Sequence, residues 1–160
     1  MKSIPSILLM IALTTTFLSA NAGMKPGESA PAFTLKSLDG GQVSLKDLTS
    51  KGHVMLVFWE PECVYCYMHI NDFNTLHEQY KDKGFTLAAI NFLGEYEAEI
   101  REYVNNNGLK YLMLTDQTKN IDVAQAYKVI GSPTIIVIAP DQKILYSGHK
   151  IPAMDKWLNQ

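Results

Sequence analysis

Apolar residues along this chain alternate between short continuous runs and longer stretches with helical spacing. Val54–Trp59 and Phe85–Phe92 are the clearest runs, and such runs predict strands that are buried on both faces of a sheet. The segment between them repeats its apolar residues every three or four positions, which predicts a helix over 63–81 that closes before Gly84. The repeating residues are Cys66, Ile70, Phe73, Leu76 and Tyr80.

The pattern continues on both sides of this central block. Before it, short runs at 33–35 and 42–45 flank Asp39–Gly41 and predict a β-hairpin. Further helices are predicted over 95–107, which Gly108 closes, 121–129 and 153–158. Further strands are predicted over 111–114, 134–139 and 143–146, the last two as a second hairpin. Strands that alternate with helices predict an α/β fold with a central mixed sheet flanked by helices.

The first 22 residues have the layout of a secretory signal peptide. Lys2 supplies the positive start, residues 7–18 form the apolar stretch, and Ala20–Ala22 is a small-x-small cleavage site. Cleavage after Ala22 leaves residues 23–160 as one domain in a periplasmic or secreted protein. A retained N-terminal anchor is the alternative, but the apolar stretch is short for a spanning helix and includes Thr14–Thr16.

The net charge of the protein is small and negative, which limits the kinds of partner that the sequence predicts. The formal net charge is −2, and it becomes about −3 without the signal peptide, because Lys2 is the only charged residue there. No basic cluster appears in the sequence, so it predicts no nucleic-acid partner and no anionic membrane surface. The sequence also predicts a monomer and requires no cofactor.

Cys63 and Cys66 are the only cysteines in the sequence, and they lie between a buried strand and a helix start. The free N–H groups of a first helical turn stabilise a thiolate on the first cysteine. The second cysteine can then attack the mixed disulfide that the first one forms. A purely structural disulfide is the alternative, but a bridge across so small a loop removes little chain entropy. The pattern therefore favours a redox-active pair.

The cysteine pair belongs to a wider motif. Trp59-x-x-x-Cys63-x-x-Cys66, followed downstream by Gly-Ser-Pro-Thr at 131–134, resembles the thioredoxin superfamily. The entry segment around 27–33, the Gly40-Gly41 hairpin and the extra helix and strand at 94–116 narrow the resemblance to TlpA/ResA/DsbE-like exported thiol–disulfide oxidoreductases. This resemblance covers essentially all of residues 23–160 and implies a thioredoxin-like fold with an N-terminal β-hairpin and an inserted helix and strand.

The resemblance also implies an activity and assigns roles to individual residues. The protein would exchange disulfides with other proteins, more as a reductase than as an oxidase, and would receive electrons from a membrane-embedded thiol reductase. Cys63 would be an exposed nucleophile and Cys66 an inward-facing resolving thiol. Pro133 would follow a cis peptide bond, the backbone of Ser132 would pair with an extended substrate segment, and Trp59 would pack beneath the active-site loop.

Several positions depart from the pattern of this group. Val57 stands where thioredoxins carry a buried aspartate. Glu62 stands where an aromatic residue is common in proteins of this group. His69 stands where many relatives have glutamate, and it could accept a proton from Cys66 or favour a thiolate as a cation; a histidine half in solvent is the alternative. Glu60 and Glu62 oppose a thiolate on Cys63 while the helix start favours one, so the net effect stays open. His53 and His149 are expected at the surface.

Three other functions compete with the reductase. An oxidase or isomerase of the same fold would use the same cysteines. A copper chaperone could use Cys63, Cys66 and His69 as ligands, although no methionine- or histidine-rich cluster accompanies them, and the sequence predicts no metal site. A peroxidase shares the entry segment and hairpin, but Leu56 and Glu60 occupy positions where the peroxidase signature needs proline and threonine or serine.

Overall fold

The computed structural model describes residues 23–158. The signal peptide that we predict over residues 1–22 therefore lies outside the described residues. Within 23–158, none of the helices has the length and apolar character that crossing a membrane requires.

Seven strands and six helices are described in residues 23–158. The strands are β1 Thr34–Lys36, β2 Gln42–Ser44, β3 His53–Trp59, β4 Phe85–Asn91, β5 Leu112–Leu114, β6 Thr134–Ile138 and β7 Ile144–Gly148. The helices are α1 Leu45–Thr49, α2 Val64–Met68, α3 Ile70–Tyr80, α4 Glu97–Asn107, α5 Asn120–Ala126 and α6 Asp155–Leu158.

Five of the strands form one mixed sheet in the order β5-β4-β3-β6-β7. β3 runs parallel to β4, and β4 runs parallel to β5, whereas β6 is antiparallel to both β3 and β7. β1 and β2 form the predicted hairpin as a separate two-stranded antiparallel sheet. The thioredoxin-like architecture predicted from the sequence is confirmed.

β3 lies at the centre of the sheet and is buried on both faces, as its continuous apolar run predicts. Val54, Leu56 and Phe58 pack into one core with the β1–β2 hairpin, α1 and α5. The alternate residues Met55, Val57 and Trp59 pack into a second core with α3 and α4. Since successive side chains of a strand point to opposite faces, this one strand contributes to both cores and orients the loop that follows Trp59.

The helix predicted over 63–81 is two helices, which corrects the expectation from periodicity. α2 ends and α3 begins at His69, whose backbone angles (φ −97°, ψ 5°) are not helical. The His69 N–H donates to the Cys66 carbonyl at 3.3 Å, and its imidazole bonds to Asp72 in the first turn of α3. The apolar stripe continues across this break, because Cys66, Ile70 and Phe73 are all buried.

α1 was not predicted, and Leu45, which was assigned to the second strand of the hairpin, is its first residue. A capping box starts this helix: the Ser44 Oγ accepts from the Asp47 N–H at 3.1 Å, and the Asp47 carboxylate accepts from the Ser44 N–H at 3.1 Å. The spacing of serine and an acidic residue three positions apart before apolar residues is a known helix-start pattern. It was present in the sequence and could have identified α1.

The amino ends of β3 and β4 meet through two glycines. Gly52 has a left-handed φ of +135°, and a Cβ atom there would collide with the backbone of Gly84. The His53 N–H donates to the Gly84 carbonyl at 2.8 Å, one residue further on. This close approach lies at the end of the sheet opposite to Cys63.

Candidate active site

Cys63 and Cys66 form a disulfide with their Cα atoms 5.2 Å apart. Cys63 is the N-cap residue of α2, and its Sγ accepts from the Cys66 N–H at 3.0 Å. This N–H lies in the first turn, where the electrostatic effect of the helix is concentrated. It would therefore stabilise negative charge on the Cys63 sulfur even though α2 has only five residues.

The expectation that Cys63 is exposed is wrong for this disulfide form. Cys63 is 8% exposed and Cys66 is 5% exposed, and both pack in the core that also contains Trp59. Val64 and Tyr65, between the two cysteines, are instead well exposed. The inward orientation predicted for Cys66 is confirmed.

The peptide bond between Ser132 and Pro133 is cis, as the resemblance implies. β6 begins at Thr134, which pairs with Phe58 near the end of β3. The chain therefore enters β6 beside the point where β3 delivers the loop to Cys63. The Ser132 hydroxyl donates to the Glu60 carboxylate at 2.7 Å. This bond joins residues 131–134, which we call the proline loop, directly to residues 60–63, which we call the cysteine loop.

His149 contacts the other side of the same proline loop. Its Nδ1 lies 2.8 Å from the Pro133 carbonyl, and because a carbonyl only accepts, Nδ1 donates the hydrogen bond. The side chain is exposed as predicted, but the prediction missed this contact. Residues 131–134 are thus held by side chains from both neighbouring loops.

His69 is oriented by Asp72 rather than free in solvent. Its Nδ1 lies 2.7 Å from the Asp72 carboxylate, and its ring meets Phe73 edge-on. A carboxylate accepts hydrogen bonds, so Nδ1 carries the proton and Nε2 is the basic nitrogen of the neutral ring. The imidazole is 36% exposed.

Trp59 packs in the same core as both cysteines. It is 3% exposed, and its ring lies 5.1 Å from that of Tyr103 on α4. Asn91, its partner in the sheet register, is completely buried. Within the described residues, neither the Trp59 Nε1 nor the side-chain amide of Asn91 has a hydrogen-bond partner. No motif or spacing in the sequence singles out Asn91.

A groove that we call the acidic trough runs between the loop before Cys63 and α4. Its volume is about 430 Å³, and it is lined by Pro61, Glu62, Glu95, Glu99, Glu102, Tyr103, Asn106 and Asn107. Burial raises the pKa of the Tyr103 hydroxyl, which therefore stays protonated at neutral pH. A second hollow of about 340 Å³ shares Asn106 and Asn107 and extends to Tyr67 and Met68.

Eight large apolar side chains are exposed in the described part of the chain, and we call this set the apolar ring. They lie on α2, on the loop after β4, at the start of α5 and just before the proline loop, all at the end of the sheet where β3 leads to Cys63. The residues are Val64, Tyr65, Tyr67, Met68, Leu93, Tyr96, Ile121 and Ile130. An exposed patch of this kind commonly marks a site that contacts another protein.

The structure does not assemble the ligand set of the copper alternative. Among residues 23–158, no three His, Cys, Asp or Glu side chains are grouped so that they could hold a metal ion. Cys63 and Cys66 are bonded to each other, and the His69 Nδ1 is engaged by Asp72.

A two-cysteine disulfide at a helix start, beside a cis-proline loop and on a mixed sheet, defines the thioredoxin-fold thiol–disulfide oxidoreductases. The chain belongs to the AhpC/TSA family, whose model matches residues 26–147. Within that family, the chain is a thiol–disulfide oxidoreductase, as two further comparisons show.

Curated relatives carry the same activity in their names. The thiol-disulfide oxidoreductase ResA of Bacillus thuringiensis (strain Al Hakam) is 33% identical over 129 residues, which cover 81% of this chain and 72% of the relative. ResA of Halalkalibacterium halodurans is 30% identical over 133 residues, which cover 83% of this chain and 73% of the relative.

Solved structures give the same fold. The thioredoxin domain of a thiol-disulfide oxidoreductase from Bacteroides vulgatus has a TM-score of 0.71 at 26% identity, covering 84% of this chain and 94% of that domain. A thiol:disulfide interchange protein from a Bacteroides species has a TM-score of 0.74 at 25% identity, covering 86% of this chain and 92% of that protein.

Proposed function

We propose that this protein is an exported reductase of disulfides in other proteins, with Cys63 as nucleophile and Cys66 as resolving thiol. The observation that carries the direction is the acidic surrounding of the pair. Glu60 and Glu62 precede Cys63 by three residues and one residue, and Glu62 lines a trough with three further glutamates.

Negative charge near a thiol disfavours its thiolate. A pair whose thiolate form is disfavoured gives up electrons readily, whereas a stabilised thiolate makes the pair an oxidant. The Cys66 N–H acts in the opposite direction on the Cys63 sulfur, but it is one neutral group opposed by several carboxylates. The balance favours electron donation to a substrate disulfide.

The reaction proceeds in two exchanges. The Cys63 thiolate attacks one sulfur of the substrate disulfide, so that a Cys63–substrate bond forms and the other substrate sulfur leaves and takes a proton. Cys66 then loses its proton and attacks the Cys63 Sγ, which releases the second substrate sulfur and leaves the Cys63–Cys66 disulfide. Two electrons pass from the protein to its substrate.

The surrounding residues assist these exchanges in the proposed mechanism. The His69 Nε2 accepts the proton of Cys66, since Asp72 fixes the required tautomer. The backbone of Ser132 pairs with an extended substrate segment next to Pro133, and Trp59 supports the loop from below.

The proposed setting follows from the same chemistry. Cleavage after Ala22 would release a periplasmic or secreted monomer into an oxidising compartment. The Cys63–Cys66 disulfide must be reduced again after each cycle, so the protein needs an electron donor, which we assign to a membrane-embedded thiol reductase. An oxidase or isomerase with the same residues is the alternative, with electrons moving the other way.

A trapping experiment tests this function. With Cys66→Ser, the second exchange is blocked, and mixed disulfides between Cys63 and substrate proteins should accumulate; Cys63→Ser is the control and should trap nothing. In the same cells, alkylation before lysis should find the wild-type pair mostly reduced. A mostly oxidised pair would contradict the reductase direction, and no Cys63-dependent adduct would contradict the mechanism.

A further inference from the structure

The sulfur-containing side chains of this protein differ sharply in their access to solvent. Met68 is 65% exposed, whereas every other methionine within residues 23–158 is at most 8% exposed. The buried methionines are Met24, Met55, Met113 and Met154. Cys63 and Cys66 are bonded to each other and are buried as well. In the disulfide form, a dissolved oxidant therefore meets Met68 before any other sulfur in the described part of the chain.

Met68 lies close to the reacting disulfide but on the outer side of its helix. It is the last residue of α2, two positions after Cys66. At 3.6 residues per turn, two positions turn a side chain by about 200°, so Cys66 points into the core while Met68 points away from it. Met68 also lines the open hollow of about 340 Å³, which is roughly ten times the volume of a water molecule. A molecule as small as hydrogen peroxide therefore reaches the thioether.

The reaction of a thioether with hydrogen peroxide needs no other group of the protein. A lone pair of the Met68 Sδ attacks one peroxide oxygen, so that an S–O bond forms and the O–O bond breaks. The second oxygen keeps the bonding electrons, takes the proton of the transferred oxygen and leaves as water. The sulfur loses two electrons and becomes a sulfoxide, which methionine sulfoxide reductases convert back to the thioether.

The cysteine pair is protected from the same oxidant by its own chemistry. Peroxide that reaches a reduced Cys63 thiolate gives a sulfenic acid, which condenses with Cys66 to form the disulfide and water. That disulfide is also the product of the proposed reductase cycle, so the electron donor reduces it again. This cycle does not remove a sulfoxide from Met68, which accumulates while peroxide is present.

Oxidation changes a surface that a protein substrate must cover. An α-helix rises 1.5 Å per residue, so the Met68 backbone lies about 7.5 Å along α2 from Cys63. Even a small transient interface buries on the order of 500 Å² of each partner, which is a disc of about 13 Å radius around the exchanging disulfide. A protein joined to Cys63 therefore covers Met68. The sulfoxide places a hydrogen-bond acceptor where an apolar group was, and covering it without a donor is unfavourable.

We infer that Met68 is a site of reversible oxidation by hydrogen peroxide, and that its sulfoxide slows the reduction of protein disulfides without changing the chemistry of the cysteine pair. The site itself follows from the exposure of the methionines, whereas its effect on activity rests on the proposed function. The protein thereby responds to an oxidant through a side chain that takes no part in disulfide exchange.

Peptide mapping by mass spectrometry tests the site. The purified disulfide form is treated with hydrogen peroxide, quenched with catalase, digested and analysed at several times. Met68 should be oxidised roughly tenfold or more faster than each buried methionine, because oxidation follows exposure. In urea, which unfolds the protein, the rates of the methionines should become similar. Equal rates in the folded protein would contradict the inference.

The change in activity is measured on two substrates of different size. After the peroxide treatment, dithiothreitol reduces the disulfide but leaves the sulfoxide, and the excess is removed. Reduction of insulin, a protein disulfide, should be about fivefold slower than before treatment, as expected for one polar group covered without a partner. Reduction of the small neutral disulfide of 2-mercaptoethanol should keep its rate, because that molecule does not extend from Cys63 to Met68. Two sulfoxide reductases, one for each sulfoxide epimer, should restore the insulin rate.

Leucine variants assign the effect to one sulfur. Met68→Leu keeps an apolar side chain of similar volume but cannot form a sulfoxide, so its insulin rates with and without peroxide should be equal. Met24→Leu removes the least buried of the other described methionines, and it should lose rate on treatment as the wild type does. Each variant is compared with its own untreated sample, so differences in basal activity cancel.

Either of two results would overturn the effect on activity. One is an unchanged insulin rate when Met68 is fully oxidised, and the other is an equal loss of rate in Met68→Leu and the wild type. Failure of the proposed function is distinguishable, because the untreated protein would then reduce neither insulin nor the small disulfide. The peptide map decides in that case as well whether Met68 is the oxidised residue.

Discussion

At the scale of single residues, side chains that lie outside the Cys-x-x-Cys motif organise the site. Glu60 accepts a hydrogen bond from Ser132, and His149 donates one to the carbonyl of Pro133. These two contacts fix the proline loop against the cysteine loop on one side and against the end of β7 on the other. The position of the Ser132 backbone, which we propose pairs with substrate, therefore depends on side chains outside the cysteine pair.

Glu60 combines a positional and an electrostatic effect that two variants can separate. Glu60→Gln keeps an oxygen that can accept from Ser132 but removes the charge, so it should raise the reduction potential of the cysteine pair by on the order of 10 mV. Ser132→Ala keeps the charge and removes the hydrogen bond, so it should leave the potential unchanged and slow reduction of protein disulfides. Equilibration with glutathione measures the potential, and equal shifts in both variants would contradict this division.

His69 is proposed to act on the second exchange only. His69→Gln should slow release of a preformed mixed disulfide on Cys63 by on the order of tenfold, which is below the usual gain from general-base catalysis because water can also take a thiol proton. The first attack by Cys63 should keep its rate. His77→Gln, later on α3, is the matched control, and if it slows release equally, His69 has no specific role.

At the scale of elements, local hydrogen bonds decide where helices start and stop. The apolar stripe of 63–81 is consistent with one helix, but His69 divides it, and its imidazole turns to Asp72. The short α2 that results carries four members of the apolar ring on its outer face. The same segment thereby holds Cys66 in the core and presents a surface to partners.

The capping box of α1 gives a test at this scale. Ser44→Ala removes the side-chain cap and should lower the free energy of unfolding by about 1 kcal/mol at neutral pH. Hydrogen bonds from the Ser44 side chain and backbone lower the pKa of Asp47 below its usual value. Urea titrations of the wild type and the variant at several pH values measure the effect.

The lowered pKa of Asp47 sets the direction of the pH dependence. The ionised Asp47 carboxylate stabilises the fold fully above the pKa that this group has in the unfolded chain, about 4. This stabilisation is lost as the pH falls through the lower pKa of the group in the folded protein. The stability difference between wild type and Ser44→Ala should therefore shrink in acid. A difference that grows below pH 4 would contradict the capping-box explanation.

At the scale of the whole molecule, the sequence predicts the sheet and the close cysteine pair well. β3 and β4 were identified because strands buried on both faces need continuous apolar runs, and the cysteine pair was identified because few arrangements place two thiols at a helix start. Contacts between distant segments were not predictable. The bond from Ser132 to Glu60 spans 72 positions, and local pattern carries no information about such pairs.

The close approach of Gly52 and Gly84 tests how far the fold can be weakened without affecting the site. Gly52→Ala should lower the free energy of unfolding by roughly 2 kcal/mol or more, because alanine is strained at this φ and its Cβ meets the Gly84 backbone. Gly41→Ala is the control, since the nearest atom to its Cβ is the Ser37 Oγ at 3.7 Å.

Thermal unfolding followed by circular dichroism measures the loss in both variants. The reduction potential of Gly52→Ala should equal that of the wild type, because the substitution lies at the far end of the sheet. A changed potential would mean that strain at the glycine pair reaches the cysteines.

The walls of the acidic trough come from two separate parts of the chain, the cysteine loop and α4. The reacting sulfurs and the residues that surround them most closely all belong to the first part or to the proline loop. New sequences for the exposed face of α4 would therefore change the charge beside the cysteine pair without altering the cysteine loop itself. This separation makes α4 the segment to vary when the electrostatic surroundings of the disulfide are to be changed and its covalent frame kept.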